Sequence, residues 1–98
     1  MSTGSLRELL DRHNGEVRET VRRHRGRKVS VFGSVARGDE SPTSDIDLLV
    51  EFEPESSLFD LLHLQQDLEA LLGHRVDVVS RGGLLERDRD ILDEAIEL

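Results

Sequence analysis

The sequence predicts an α/β fold, a sheet with helices packed on it. Three short segments, Lys28–Phe32, Asp45–Phe52 and Arg75–Ser80, alternate in side-chain character as strands do. Between and around them, apolar residues recur at spacings of three and four, the stripe of amphipathic helices. The order is helix, strand, short helix, strand, helix, strand, helix, which calls for a sheet covered by helices. The 98 residues leave room for one domain. A chain of this size buries only about 60% of its unfolded surface, so its core is small.

Taken in order, Leu6, Leu9, Leu10, His13, Val17 and Val21 predict a helix over about 5–24, with Asn14-Gly15 a place to break it. Arg22, Arg23 and Arg25 stand near its end, where cations suit the helix dipole, and Gly26 stops it. Lys28–Phe32 is the first strand, and Ser34–Arg37 the first turn of a short helix. Asp39–Ser44, with Pro42, is a loop. In the second strand, Asp45–Phe52, a period of two sets Ile46, Leu48, Val50 and Phe52 on one face. Asp45, Asp47, Leu49 and Glu51 share the other. Leu58–Leu72 is a helix closed by Gly73, Arg75–Ser80 a third strand, and 84–96 a last helical segment after Gly82-Gly83.

Composition excludes several function classes. The net charge of −8 is uneven: residues 1–28 hold eight Lys/Arg against four Asp/Glu, and residues 29–98 hold five against seventeen. An acidic body is a poor binder of nucleic acid backbone and a reasonable holder of divalent cations. There is no cysteine, hence no disulfide framework and no thiolate zinc site. No apolar run approaches the roughly 18 residues of a membrane span. These features predict a soluble cytoplasmic protein. His13, His24, His63 and His74 lack ligand spacing and are expected at the surface or in helix packing.

The chemistry is concentrated in Gly33–Val50. Asp45 and Asp47 project from one face, and two adjacent anions repel unless a cation lies between them. Hard oxygen ligands favour Mg2+, with Mn2+ also suited. Asp77, an acid among the valines of the third strand, is the candidate third carboxylate, and three such groups can hold two ions about 4 Å apart. Gly33-Ser34 follows a strand directly; a glycine there admits close backbone approach, and a serine donates from hydroxyl and amide, so phosphate is the natural occupant. A nucleoside triphosphate with its magnesium could touch both halves. Each piece alone is ordinary, since Gly-Ser is commonly a turn, Asp-x-Asp a solvated strand end, and Asp77 a sheet-edge charge. Their order and spacing point to one site. An EF-hand loop is excluded, because Ile46 and Leu48–Val50 stand where that loop needs ligands and a glycine.

Gly33-Ser34, ten intervening residues, Asp45-Ile46-Asp47 and the later Asp77 resemble the minimal nucleotidyltransferases of the polymerase beta superfamily. The flanking residues 31–38, 44–50 and 75–79 are close to that family's wording too. The resemblance runs from about Ser5 onward. It implies one nucleotidyltransferase domain over 1–98, with residues 5–25 an N-terminal helical segment and 27–98 the catalytic core. It further implies a small mixed sheet in a polymerase beta-like palm and transfer of AMP from ATP to a hydroxyl. Asp45 and Asp47 would bind both metal ions, and Asp77 the catalytic one, with the acceptor proton also within its role. Gly33 and Ser34 would bind the triphosphate. Arg37 would either contact phosphate or pin the loop to an acid such as Asp39. Members of the family serve as antitoxins to HEPN-domain toxins, some by adding AMP to a toxin tyrosine. The chain has no residues left for an acceptor-binding domain and no Tyr or Trp to stack an adenine. Such a partner could supply both. Two other functions remain beside this one: neutralising the toxin by binding alone, and nucleotidylating a small molecule.

Overall fold

The computed structural model describes residues 5–41 and 43–98, with Glu86 described by its backbone alone. Pro42 and residues 1–4 lie outside the described residues. The predicted first helix is two: α1 (Leu6–Arg12) and α2 (Asn14–Arg23), parted at His13. Ser5 starts α1 with a reciprocal cap, its Oγ accepting from the Glu8 N–H (3.1 Å) and its N–H donating to Glu8 Oε1 (3.3 Å). Strand β1 (Gly26–Phe32) leads into α3 (Gly33–Arg37), then β2 (Ile46–Phe52), α4 (Leu58–Leu72) and β3 (Val76–Ser80). Gly26 is required where β1 leaves α2, because a Cβ there would strike Val21. Gly73, with φ of 64°, closes α4.

The sheet is mixed, in the order β3-β2-β1-β4. β1 and β2 are antiparallel, and β2 and β3 are parallel, joined through α4. Helix α4 also shields the outer edge of β3: Glu69 Oε2 accepts from the Val76 N–H (3.1 Å) and Gln65 Oε1 from the Val78 N–H (3.1 Å). Edge amides left open would invite pairing with another chain.

The last segment departs from the single helix predicted over 84–96. Two 3-10 turns (Arg81–Gly83 and Glu86–Asp88) precede a short α5 (Arg89–Glu94), and Ile96–Glu97 form a strand, β4, antiparallel to β1. Helix periodicity is satisfied locally, but the free edge of β1 offers Ser30 and Val31 a ladder, and the chain end takes it. Tertiary pairing outweighs propensity here.

The core lies on one face of the sheet. Val29, Val31, Ile46, Leu48, Val50, Val76 and Val78 meet Leu10, Val17 and Val21 from the N-terminal helices and Leu64, Leu68 and Leu72 from α4. The helical segment 5–25 therefore contributes to the same core as the rest. Among the described residues, no helix is long and apolar enough to cross a membrane.

Candidate active site

The period of two that buries Ile46 and Leu48 turns Asp47 to the opposite face. Asp47 is paired in register with Asp77 on β3 and with Phe32 on β1. Registered neighbours on adjacent strands project from the same face about 4.8 Å apart, so two carboxylates lie side by side. Asp45 sits one residue ahead of β2. The pKa of Asp47 is pushed from 3.8 to about 6. Burial is the largest cause, followed by the negative charges of Asp77 and Asp45; Arg37 acts in the opposite sense.

Asp45 has a separate problem. Its Oδ1 is buried and makes no hydrogen bond, although Arg75 Nε stands 3.1 Å away as an ion-pair partner. The two observations agree once direction is considered: the pair has the distance of a contact without the alignment of a hydrogen bond. A buried carboxylate oxygen with no donor, next to two further carboxylates, suits a hard divalent cation. Among the described residues, no three acidic or histidine side chains are gathered closely enough to hold a metal ion as they stand. The chemistry of the donors fits Mg2+; a closed site requires their side chains to turn together, with Asp45 leaving Arg75.

Gly33 joins β1 to α3 at φ of 73°, a conformation that favours glycine. A Cβ at this position would also strike the Asp47 carboxylate. The glycine thus brings the start of α3 directly against the acids. Arg37, on the same short helix, donates from Nε to Asp39 Oδ2 (3.3 Å). Its guanidinium also reaches Glu94, with Nη1 3.1 Å from Oε2. These acids, Glu94 first, raise its pKa further above the ordinary arginine value and hold it charged. Ser34 lies beside Gly33 at the head of α3, half-buried, its carbonyl accepting from the Asp39 N–H (3.0 Å).

The structure therefore brings Gly33, Ser34 and Arg37 to one side of Asp47, and Asp77 and Asp45 to the other sides. Sequence reasoning missed Glu94 and Arg75. Glu94 lies 61 positions from Gly33 and reads as one more acid on an exposed helix; no local signal marks it. Two of the histidines make tertiary contacts: His24 Nε2 lies 2.7 Å from Asp67, and His74 Nε2 2.6 Å from the Ser44 carbonyl. A hollow of about 670 Å³ lies at the far end of β2, lined by residues including Phe52, Arg81, Leu84 and Leu92. The three aspartates do not line it. Of the three, Asp77 is exposed and Asp45 and Asp47 are half-buried.

The model of the nucleotidyltransferase domain matches residues 10–98 of this chain. The chain belongs to the nucleotidyltransferase family. Among relatives, the protein adenylyltransferase MntA of Thermococcus cleftensis is 43% identical over 79 residues, which is 81% of this chain and 77% of the relative. A solved structure described provisionally as a minimal nucleotidyltransferase is 45% identical, with a TM-score of 0.87 and full coverage of both chains. The fold recurs in a structure of a tri-AMPylated Shewanella oneidensis HEPN toxin in complex with MNT antitoxin. There the TM-score is 0.69 and the identity 17%, over 89% of this chain and 69% of the other. At that identity the likeness concerns the fold alone.

Proposed function

We propose that this nucleotidyltransferase is a protein adenylyltransferase that moves AMP from ATP to a tyrosine hydroxyl of a partner HEPN toxin and so acts as its antitoxin. The observation that carries the reading is the register pairing of Asp47 with Asp77, with Gly33 packed against Asp47. The relatives named above support the AMP donor and the class of partner. The whole chain acts as one catalytic unit in the cytoplasm.

Asp45, Asp47 and Asp77 would hold two Mg2+ ions, or Mn2+, which would neutralise charge on the triphosphate and on the attacking oxygen. Gly33, Ser34 and Arg37 bind the triphosphate and orient it over the acids. The acceptor oxygen then bonds to the α-phosphorus while the bond from that phosphorus to the bridging oxygen breaks, and pyrophosphate leaves. Asp77, the most exposed of the three aspartates, takes the acceptor proton. The acceptor comes from the partner chain and meets the site at the exposed Asp77.

Incubation of the chain with α-labelled ATP, Mg2+ and its cognate toxin is expected to label a toxin tyrosine, located by mass spectrometry. No label with wild type, or label that survives Asp45→Ala combined with Asp47→Ala, overturns the proposal. A second reading, neutralisation by binding alone, draws on the basic, exposed Arg18, Arg22 and Arg23 of α2 set against an acidic body. Under it the double aspartate variant protects cells from the toxin as well as wild type does.

A further inference from the structure

The donors that this reading gives to the triphosphate already hold an anion. Glu94, at the end of α5, accepts the Gly33 N–H on Oε1 at 2.8 Å. The same carboxylate takes Arg37 Nη1 on both oxygens, at 3.3 and 3.1 Å. Carboxylate and phosphate oxygens are both acceptor-only anions, and each suits an amide and a guanidinium in the same way. We propose that Glu94 is a built-in competitor for phosphate: it occupies the Gly33 amide and the Arg37 guanidinium until a triphosphate displaces it, and so sets how tightly this chain holds nucleotide. The inference rests on the assignment of Gly33 and Arg37 to the triphosphate.

Sharing is not an alternative to displacement. A backbone amide has one hydrogen to give, and a triphosphate next to a retained carboxylate repels it. Displacement is also easy. Glu94 reaches the site from the surface element α5, so rotation of its side chain suffices, and the pairing of Ile96 with Val31 two residues later is left in place. Arg37 keeps Asp39 as a second partner and stays aimed when Glu94 departs.

Calorimetric titration of the full chain with MgATP, with inorganic tripolyphosphate plus Mg2+ and with adenosine tests this in wild type, Glu94→Gln and Glu94→Ala. Glu94→Gln keeps the shape and an acceptor for Gly33 but removes the charge that pairs with Arg37. Both phosphate ligands are expected to bind about 3-fold to about 10-fold more tightly to the variants, equally for MgATP and tripolyphosphate, with adenosine unchanged. If wild type binds MgATP and Glu94→Gln binds it equally or more weakly, Glu94 is not a competitor, and the nucleotide site stands without it. If wild type binds neither phosphate ligand, the triphosphate assignment fails and the proposal with it. Thermal unfolding of the unliganded variants identifies any that is misfolded, and Glu94→Gln, the milder change, decides.

Discussion

The two faces of the sheet obey different rules, although single strands build both. On β2, Ile46, Leu48 and Val50 are fully buried beneath α1, α2 and α4. Their neighbour Asp47 faces the other way, where burial first and then the charges of Asp77 and Asp45 raise its pKa. One face gains stability from apolar surface removed from water, at about 25 cal/mol per Å². The other loses some of it by holding carboxylates together, offset only in part by Arg75 at Asp45 and by Arg37 near Asp47. Function and stability are thus separable by residue parity along one strand. The comparison predicts that substitutions on one face will change activity and leave the fold, and that substitutions on the other will do the reverse.

The largest expected effect is on the open face. Asp47→Ala should lower AMP transfer by about 10³-fold or more, the scale on which loss of a principal electrostatic group acts. The far-ultraviolet circular dichroism should be unchanged. A variant that retains a tenth of the activity would place the chemistry elsewhere.

Next is the covered face. Leu68 is fully buried between α4 and the sheet, so Leu68→Ala should cost about 3 kcal/mol in urea unfolding, from lost transfer energy and the cavity left behind. Activity per folded molecule should remain near wild type. If activity falls with the core intact, the two faces are more tightly coupled than residue parity implies.

Gly33→Ala joins the faces and has a smaller effect on stability. Alanine at φ of 73° costs about 1 to 2 kcal/mol, and its Cβ is driven against Asp47. Activity should therefore fall much further than the melting temperature does. Equal losses in both would make the glycine a structural turn and nothing more.

Much of this was legible in the sequence because period two and period 3.6 are local properties. The alternation from Ile46 to Phe52 assigned each residue its face, and Leu58–Leu72 has the bounds that its leucines and Gly73 dictate. Asp77 is legible as the third carboxylate, an acid among valines; its direct register with Asp47 is not. What was not legible depends on partners remote in the chain. Ile96–Glu97 form a strand because the edge of β1 is free, and the sequence around them reads as helix. Arg75 and Glu94 meet Asp45, Gly33 and Arg37 only after the sheet and α5 have assembled. Neither contact has a spacing that could be read in advance.

The smallest effect sharpens the comparison most, because it reverses the usual sign of a substitution. The Asp47 carboxyl titrates at about 6 in the folded protein and near 3.8 when unexposed to its neighbours. A carboxyl with a raised folded pKa favours folding while it is protonated, so its contribution is fully present below about pH 4 and is lost as pH rises through about 6. At pH 8 and without divalent cations, the charged Asp47 opposes folding, and Asp47→Asn should therefore stabilise the protein. The full shift corresponds to about 3 kcal/mol; solvent access to the open face reduces this to about 1 kcal/mol. Thermal unfolding of wild type and variant from pH 8 to pH 4 should show the two curves converge at the acid end. Added Mg2+ should narrow the gap at pH 8, since a cation relieves the repulsion in wild type that asparagine relieves in the variant. A variant less stable than wild type at pH 8 would mean that Arg37 outweighs the crowding at Asp47, and that the open face is balanced in charge after all.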